Sequence, residues 1–245
     1  MEIILFITGL VAGVIDAIAG GGGLITLPVW SLYLGPGAHA IGTNKIVGTL
    51  ASLTALLVYL KQGKLPWKRG VSFLCSIAVG SFIGSETSPL IPTKFFIYLM
   101  LFICPVILFL VWEKEKLFNR KKVQTEHSMK NFIIGGLLCG FYDGFFGPGG
   151  GTFMLLTLLF LTDLSLMESL ALSKLANTIS AGTALVTYSV NGYVHAREGL
   201  IMGAGITLGA FIGATLASKK AQNIVRPALM FITVLLFFKL LKEIL

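Results

Sequence analysis

The chain carries an internal duplication, and nothing else in it restricts the fold as much. GVIDAIAGGGGL (13–24) lies over GFYDGFFGPGGG (140–151), with the shared pattern G-x-x-D-x-x-x-G-x-G-G. After a small length change the register settles again. Lys45 then matches Lys174, Thr49 matches Thr178, Tyr59 matches Tyr188, Gly70 matches Gly199, and GSFIG (80–84) matches GAFIG (209–213). Between residues 45–84 and 174–213, 13 of 40 positions are identical without a gap. So apolar a composition would give roughly 3 or 4 by chance. The fold has to use one unit twice.

That unit is not a soluble one. Of 245 residues, 55% are hydrophobic and 12% charged, against about 25% charged in ordinary soluble domains. Mean hydropathy is +0.87. Too few charges remain to cover a water-exposed surface. The formal net charge of +8 does not point to nucleic acid, because Lys and Arg sit in short gaps between apolar runs, where inward-facing membrane loops collect them. Cys75, Cys104 and Cys139 lie inside apolar runs without CxxC or His partners, so they read as packing residues and not as metal ligands.

Apolar segments predict helices over 2–19, 24–34, 43–61, 70–86 and 94–112 in the first half. In the second half they predict 131–146, 151–162, 171–190, 199–217 and 225–243. A spanning helix needs about 20 apolar residues, and the last three segments of each half qualify. The first two are short and joined by glycine clusters, Gly20-Gly21-Gly22-Gly23 and Gly147-Pro148-Gly149-Gly150-Gly151. The polar stretch 113–130 divides the chain into repeat 1 (1–112), a linker (113–130) and repeat 2 (131–245). Three basic clusters can face the cytoplasm together: Lys61, Lys64, Lys68 and Arg69; the linker; and Lys219, Lys220 and Arg226. Each half then has an odd number of spans, with both termini outside. The expected fold is an all-α polytopic membrane protein. It has two inverted-topology repeats of about five helical segments each, with Gly-rich broken or re-entrant helices at the start of each repeat.

Glycine clusters at membrane depth weaken a helix. Open backbone there is tolerated only where protein buries it or it lines a cavity. Free N–H groups at the start of the following helix then make an anion site. The expected substrate-binding residues are Gly20, Gly21, Gly22, Gly23, Gly147, Gly149, Gly150 and Gly151 as a backbone cradle. Lys45 and Lys174 are expected to supply positive charge, and Asn44, Ser173, Thr49, Thr178 and Asn177 polar donors. Asp16 and Asp143 have two readings, proton coupling and structural pairing. Tyr59 and Tyr188 read as interfacial anchors, and His39, His127 and His195 as exposed loop residues. Isolated pairs such as Gly80/Gly84 and Gly209/Gly213 read as helix-packing positions.

These residues resemble the TauE/SafE family of membrane permeases, the sulfite exporters. The likeness rests on AGVIDAIAGGGGLITLPVW (12–30), AIGTNKIVGTLASLTALLVYLKQG (40–63), GFYDGFFGPGGGTFM (140–154) and ALSKLANTISAGTALVTYSVNGYV (171–194). The resemblance implies transport, without ATP, of small anions bearing sulfur or carboxylate groups, such as sulfite, sulfonates and sulfoacetate. It places the family signature on the glycine loops and on the segments around Lys45 and Lys174.

The expected function is a secondary transporter of small sulfur-containing oxyanions in the plasma membrane of a prokaryote, working by alternating access. A passive anion channel using the same cradle is the alternative. Expected partners are the anion, the bilayer and a coupling proton or sodium ion, with no nucleic acid. No catalytic cluster, cofactor or metal site is expected. Lys174→Ala is expected to abolish flux while leaving the protein folded.

Overall fold

The computed structural model describes residues 1–19, 21–62, 65–99, 101–102, 129–162, 164 and 166–216. Among them, all regular structure is helical. The first half contains α1 (Glu2–Ala19), α2 (Gly23–Leu34), α3 (Ala38–Gln62), α4 (Trp67–Thr87) and α5 (helical at 93–99 and 101–102). The second contains α6 (Met129–Phe145), α7 (Gly150–Leu161), α8 (Leu166–Val190) and α9 (Ala196–Thr215). The last segment expected from sequence (225–243), Gly20, His127, Cys104 and residues 113–128 of the linker lie outside the described residues.

The distribution of polarity is that of a membrane protein. Ile3, Ile4 and Ile7 on α1, Leu53 and Leu57 on α3, Val79, Phe82 and Ile83 on α4, and Leu200, Leu208 and Phe211 on α9 are exposed. Inside lie Asp16, Asn44, Lys45, Asp143, Lys174 and Asn177 with a set of serines and threonines. In water this much apolar surface would drive aggregation; in lipid it faces its preferred solvent. Among the described residues, Ala38–Lys61, Gly70–Leu90 and Ala196–Thr215 are long and apolar enough to cross a bilayer. The chain is an integral membrane protein. Helices α2 and α7 have 12 residues each, about 18 Å at 1.5 Å per residue, short of the roughly 30 Å hydrocarbon core.

Two helix pairs are held by glycine. A β-carbon on Gly9 or Gly13 of α1 would meet the carbonyls of Met202 or Ile206 of α9. One on Gly205, Gly209 or Gly213 would meet those of Phe6, Leu10 or Val14. The pair α4–α6 repeats this. Gly80 and Gly84 face the carbonyls of Leu137 and Phe141, and Gly136, Gly140 and Gly144 face those of Phe73, Ile77 and Ser81. Lipid supplies no hydrophobic drive between helices, so such close backbone approach carries the packing. Gly209→Leu is therefore expected to separate α1 from α9. Size-exclusion of the detergent extract should show loss of the monodisperse peak; a wild-type profile would contradict this.

The central pair is α3 and α8, which are equivalent in the repeat. Ser52 Oγ lies 3.1 Å from Thr178 Oγ1, and a β-carbon on Gly48 would lie 3.7 Å from that of Ala181. One on Gly42 would lie 3.0 Å from Cβ of Tyr188. One number rises as the other falls, so the two helices run antiparallel. Among the described helices, exchanging the halves turns α1 on α9 into α6 on α4, and α3 on α9 into α8 on α4.

One sequence expectation changes here. Helices α3 and α8 start at Ala38 and Leu166, well before the expected 43 and 171. The polar residues His39, Thr43 and Asn44 in one segment and Glu168, Ser169 and Ser173 in the other resemble turn chemistry. Buried Ala40 and Ile41, and Ala171 and Leu172, pack well enough to carry the helix through them. Lys45 and Lys174 accordingly sit two turns inside their helices and not at the ends.

Candidate functional site

Asp16 and Asp143 lie in the last turns of α1 and α6. A carboxylate there faces the negative end of the helix dipole and needs a cation. Each half supplies the cation for the other. Lys174 on α8 reaches Asp16, with Nζ 2.8 Å from Oδ2 and 2.9 Å from the backbone carbonyl oxygen. Lys45 on α3 reaches Asp143, donating to its backbone carbonyl and lying 3.4 Å from Oδ2. Lys45 and Lys174 are 3% and 4% exposed, so neither snorkels to an interface. Each lysine serves a carboxylate and an open helix-end carbonyl at once.

The chain then breaks. Across the first break, Gly22 N–H donates to Asp16 Oδ1 at 3.0 Å. Gly147 (φ +104°) and Gly149 (φ +77°) take the second break through conformations that disfavour side chains. Space is as tight as geometry. A β-carbon on Gly22 would lie 2.7 Å from that of Asp16. One on Gly150 would strike Asp143 Oδ1, and one on Gly147 would lie 2.8 Å from Lys45 Nζ. The breaks are glycine because the side chains of Asp16, Asp143 and Lys45 fill the room.

Between the breaks is a cavity of about 40 Å³. A single water needs roughly 10–15 Å³ by the same measure, so the space suits a few waters or one small ion. The starts of α2 and α7 open onto it through Gly21, Gly22, Gly23, Gly149, Gly150 and Gly151. Asp16, Asp143, Lys45, Gly147, Asn44 and Asn177 complete the polar wall, together with Thr26. The two asparagines are not repeat equivalents. Asn44 precedes its lysine by one residue and Asn177 follows its lysine by three, yet each half contributes one amide.

Four expected residues are not on this wall. Lys174 lies behind Asp16. Thr49 and Thr178 donate their hydroxyls to the carbonyls of Lys45 and Lys174, at 2.7 and 2.8 Å, and Ser173 donates to Leu170 O at 2.9 Å. A hydroxyl in an apolar helix readily satisfies itself on its own preceding turn.

Three residues with roles at the site were not foreseen. Tyr59 and Tyr188, expected at the interface, are fully buried. Tyr59 donates to Ala17 O at 2.6 Å and Tyr188 to Gly144 O at 3.0 Å. Each pins the residue after an aspartate, and their equivalence in the repeat was the available signal. Ser180 donates to Asp143 Oδ2 at 2.7 Å; its counterpart is Ala51, so the repeat gave no hint of it.

The model of the family described as Sulfite exporter TauE/SafE matches residues 5–240. The chain belongs to this family. TauE/SafE proteins are membrane transporters, and the relatives carry such names. A probable membrane transporter protein, ORF9, of a Sinorhizobium species is 31% identical over 242 residues, 98% of this chain and 92% of that protein. One from Haemophilus influenzae is 31% identical over 241 residues, 98% and 94% of the two chains. YfcA of Escherichia coli K12, also a probable membrane transporter protein, is 30% identical over 242 residues, 98% and 89%. No solved structure matches the chain. In this TauE/SafE protein the polar cavity lies among apolar helices, lined by residues of both halves.

Proposed function

We propose that the chain is a secondary carrier of small sulfur oxyanions, such as sulfite and organosulfonates, and that the central cavity is its binding site. The observation that carries this is the meeting of two helix N-termini at one cavity. Each N-terminus presents about half a positive charge, although several first-turn N–H groups already have local acceptors, among them Gly22 on Asp16 Oδ1 and Gly150 on Gly147 O. The aspartates do not cancel this field, because each is matched by a lysine. The same lysines also hold the open carbonyls that end α1 and α6, which leaves the starts of α2 and α7 as the ends that favour a small anion. Gly20–Gly23 and Gly147–Gly151 form the cradle, with Asn44 and Asn177 as amide donors.

Repeat 1 (1–112) and repeat 2 (131–245), joined by the cytoplasmic linker 113–130, rock about this site in alternating access. The antiparallel course of α3 and α8 supports the inverted relation of the repeats. The basic clusters support a linker inside and both termini outside a prokaryotic plasma membrane. A cavity sized for one ion favours a carrier over a channel, which needs several sites in file.

The test is thermal stability of the purified protein against sulfite, thiosulfate, methanesulfonate, sulfate, phosphate, acetate and chloride. A ligand at a hundredfold excess over its Kd stabilises by about 2.7 kcal/mol. The expected result is a rise in Tm confined to the sulfur oxyanions. Equal rises with acetate and chloride, or none with any anion, would remove this reading.

A further inference from the structure

We infer that the two lysines of the repeat have divided roles: Lys45 engages the ligand, Lys174 clamps the fold, and Ser180 is the positioning residue that sets Lys45 free. This rests on the anion reading above and deepens it.

The repeat makes the lysines equivalent, but their surroundings differ in three ways. Lys45 is on the cavity wall and Lys174 is not. Lys174 Nζ is 2.8 Å from the carboxylate oxygen of its aspartate, whereas Lys45 Nζ is 3.4 Å from its own. Gly147, at the mouth of the second break, leaves room beside the Lys45 ammonium that a β-carbon would take.

The aspartates differ as well, and this sets the cost of moving either lysine. Oδ2 of Asp143, the oxygen Lys45 leans on, also accepts the Ser180 hydroxyl at 2.7 Å. Ser180 is itself held through its carbonyl, which accepts Ser81 Oγ at 2.7 Å. If Lys45 turns to a ligand, Asp143 Oδ2 keeps a hydrogen bond. Asp16 Oδ2 is served by Lys174, and the position equivalent to Ser180 is Ala51, which has no hydroxyl. Movement of Lys174 would leave the buried Asp16 carboxylate to backbone N–H donors such as that of Gly22, with no side-chain hydroxyl in the place of Ser180, which is costly. Each lysine also holds a helix-end carbonyl, but only the Lys45–Asp143 pair both faces the cavity and keeps a side-chain hydroxyl on its carboxylate.

The experiment titrates the full-length detergent-purified protein with sodium sulfite and with methanesulfonate, reading Kd from ligand-dependent Tm. Lys45→Gln is expected to weaken binding by about tenfold more than Lys174→Gln does, as loss of a charge-assisted hydrogen bond requires. Lys174→Gln is expected to lower the ligand-free Tm more than Lys45→Gln. Ser180→Ala leaves both ion pairs in place but makes Asp143 depend on Lys45, so it should weaken binding by about fivefold. Ser180→Thr, which restores the hydroxyl, should recover it. If Lys45→Gln gives no folded protein, the Ser180 pair carries the test alone. Equal losses of affinity in the two lysine variants, or an unchanged Kd in Ser180→Ala, would overturn the division of roles. Wild-type protein that binds neither anion would overturn the anion reading as well.

Discussion

Lys174→Ala is expected to destabilise the folded protein by about 3–5 kcal/mol, the usual result of leaving one half of a buried ion pair without its partner. Asp16 is buried at the negative end of α1 and draws its compensation from Lys174, which also occupies the open carbonyl of the same residue. Gly22 N–H remains as a donor to the other carboxylate oxygen, but it brings no full charge. The double variant Asp16→Asn, Lys174→Met removes both charges and should regain most of the loss. Unfolding of the purified single and double variants measures the coupling directly. A single variant as stable as wild type would show that the pair is not what holds α1 to α8. Sequence alone suggests that Lys174→Ala spares the fold; the ion pair reverses that expectation.

Gly150→Ala is expected to cost roughly 10–100-fold in anion affinity. The added methyl has no space, because the Asp143 carboxyl group occupies its position. Overpacking of this kind costs about 1–3 kcal/mol, and here the strain falls on the carboxylate, on its bonds to Ser180 and Lys45, and on a cavity wall that Gly150 helps form. Gly182→Ala is the control. It lies in α8 with nothing within 4 Å of its added carbon, and alanine is the better helix former. Titration of both variants with sulfite should separate them. Equal affinities would mean that the Asp143 geometry does not shape the site.

The membrane class, the duplicated unit, the glycine breaks and the two aspartate–lysine sets were legible in the sequence, because each is written in composition or repeated spacing. Who pairs with whom was not. The partners lie in opposite halves, and no local pattern states that Lys174 belongs to Asp16 and not to Asp143. The early starts of α3 and α8 were hidden because short polar residues look like turns until their burial is known. Rotamers were hidden too: Thr49, Thr178 and Ser173 have the donors an anion site needs, yet they turn them onto their own helices. Tyr59 and Tyr188 look like interfacial residues near helix ends, but the antiparallel packing buries those ends against the breaks of α1 and α6. Ser180 was invisible for the opposite reason, since a repeat draws the eye to what matches and this position differs.

The most direct measurement is sulfite flux into liposomes reconstituted with the purified protein, followed against external sulfite concentration. Alternating access about a single-ion cavity predicts flux that saturates, is competed by methanesulfonate, and falls sharply in Gly150→Ala. Flux that climbs linearly without saturating, or that does not exceed protein-free liposomes at any concentration, would contradict it.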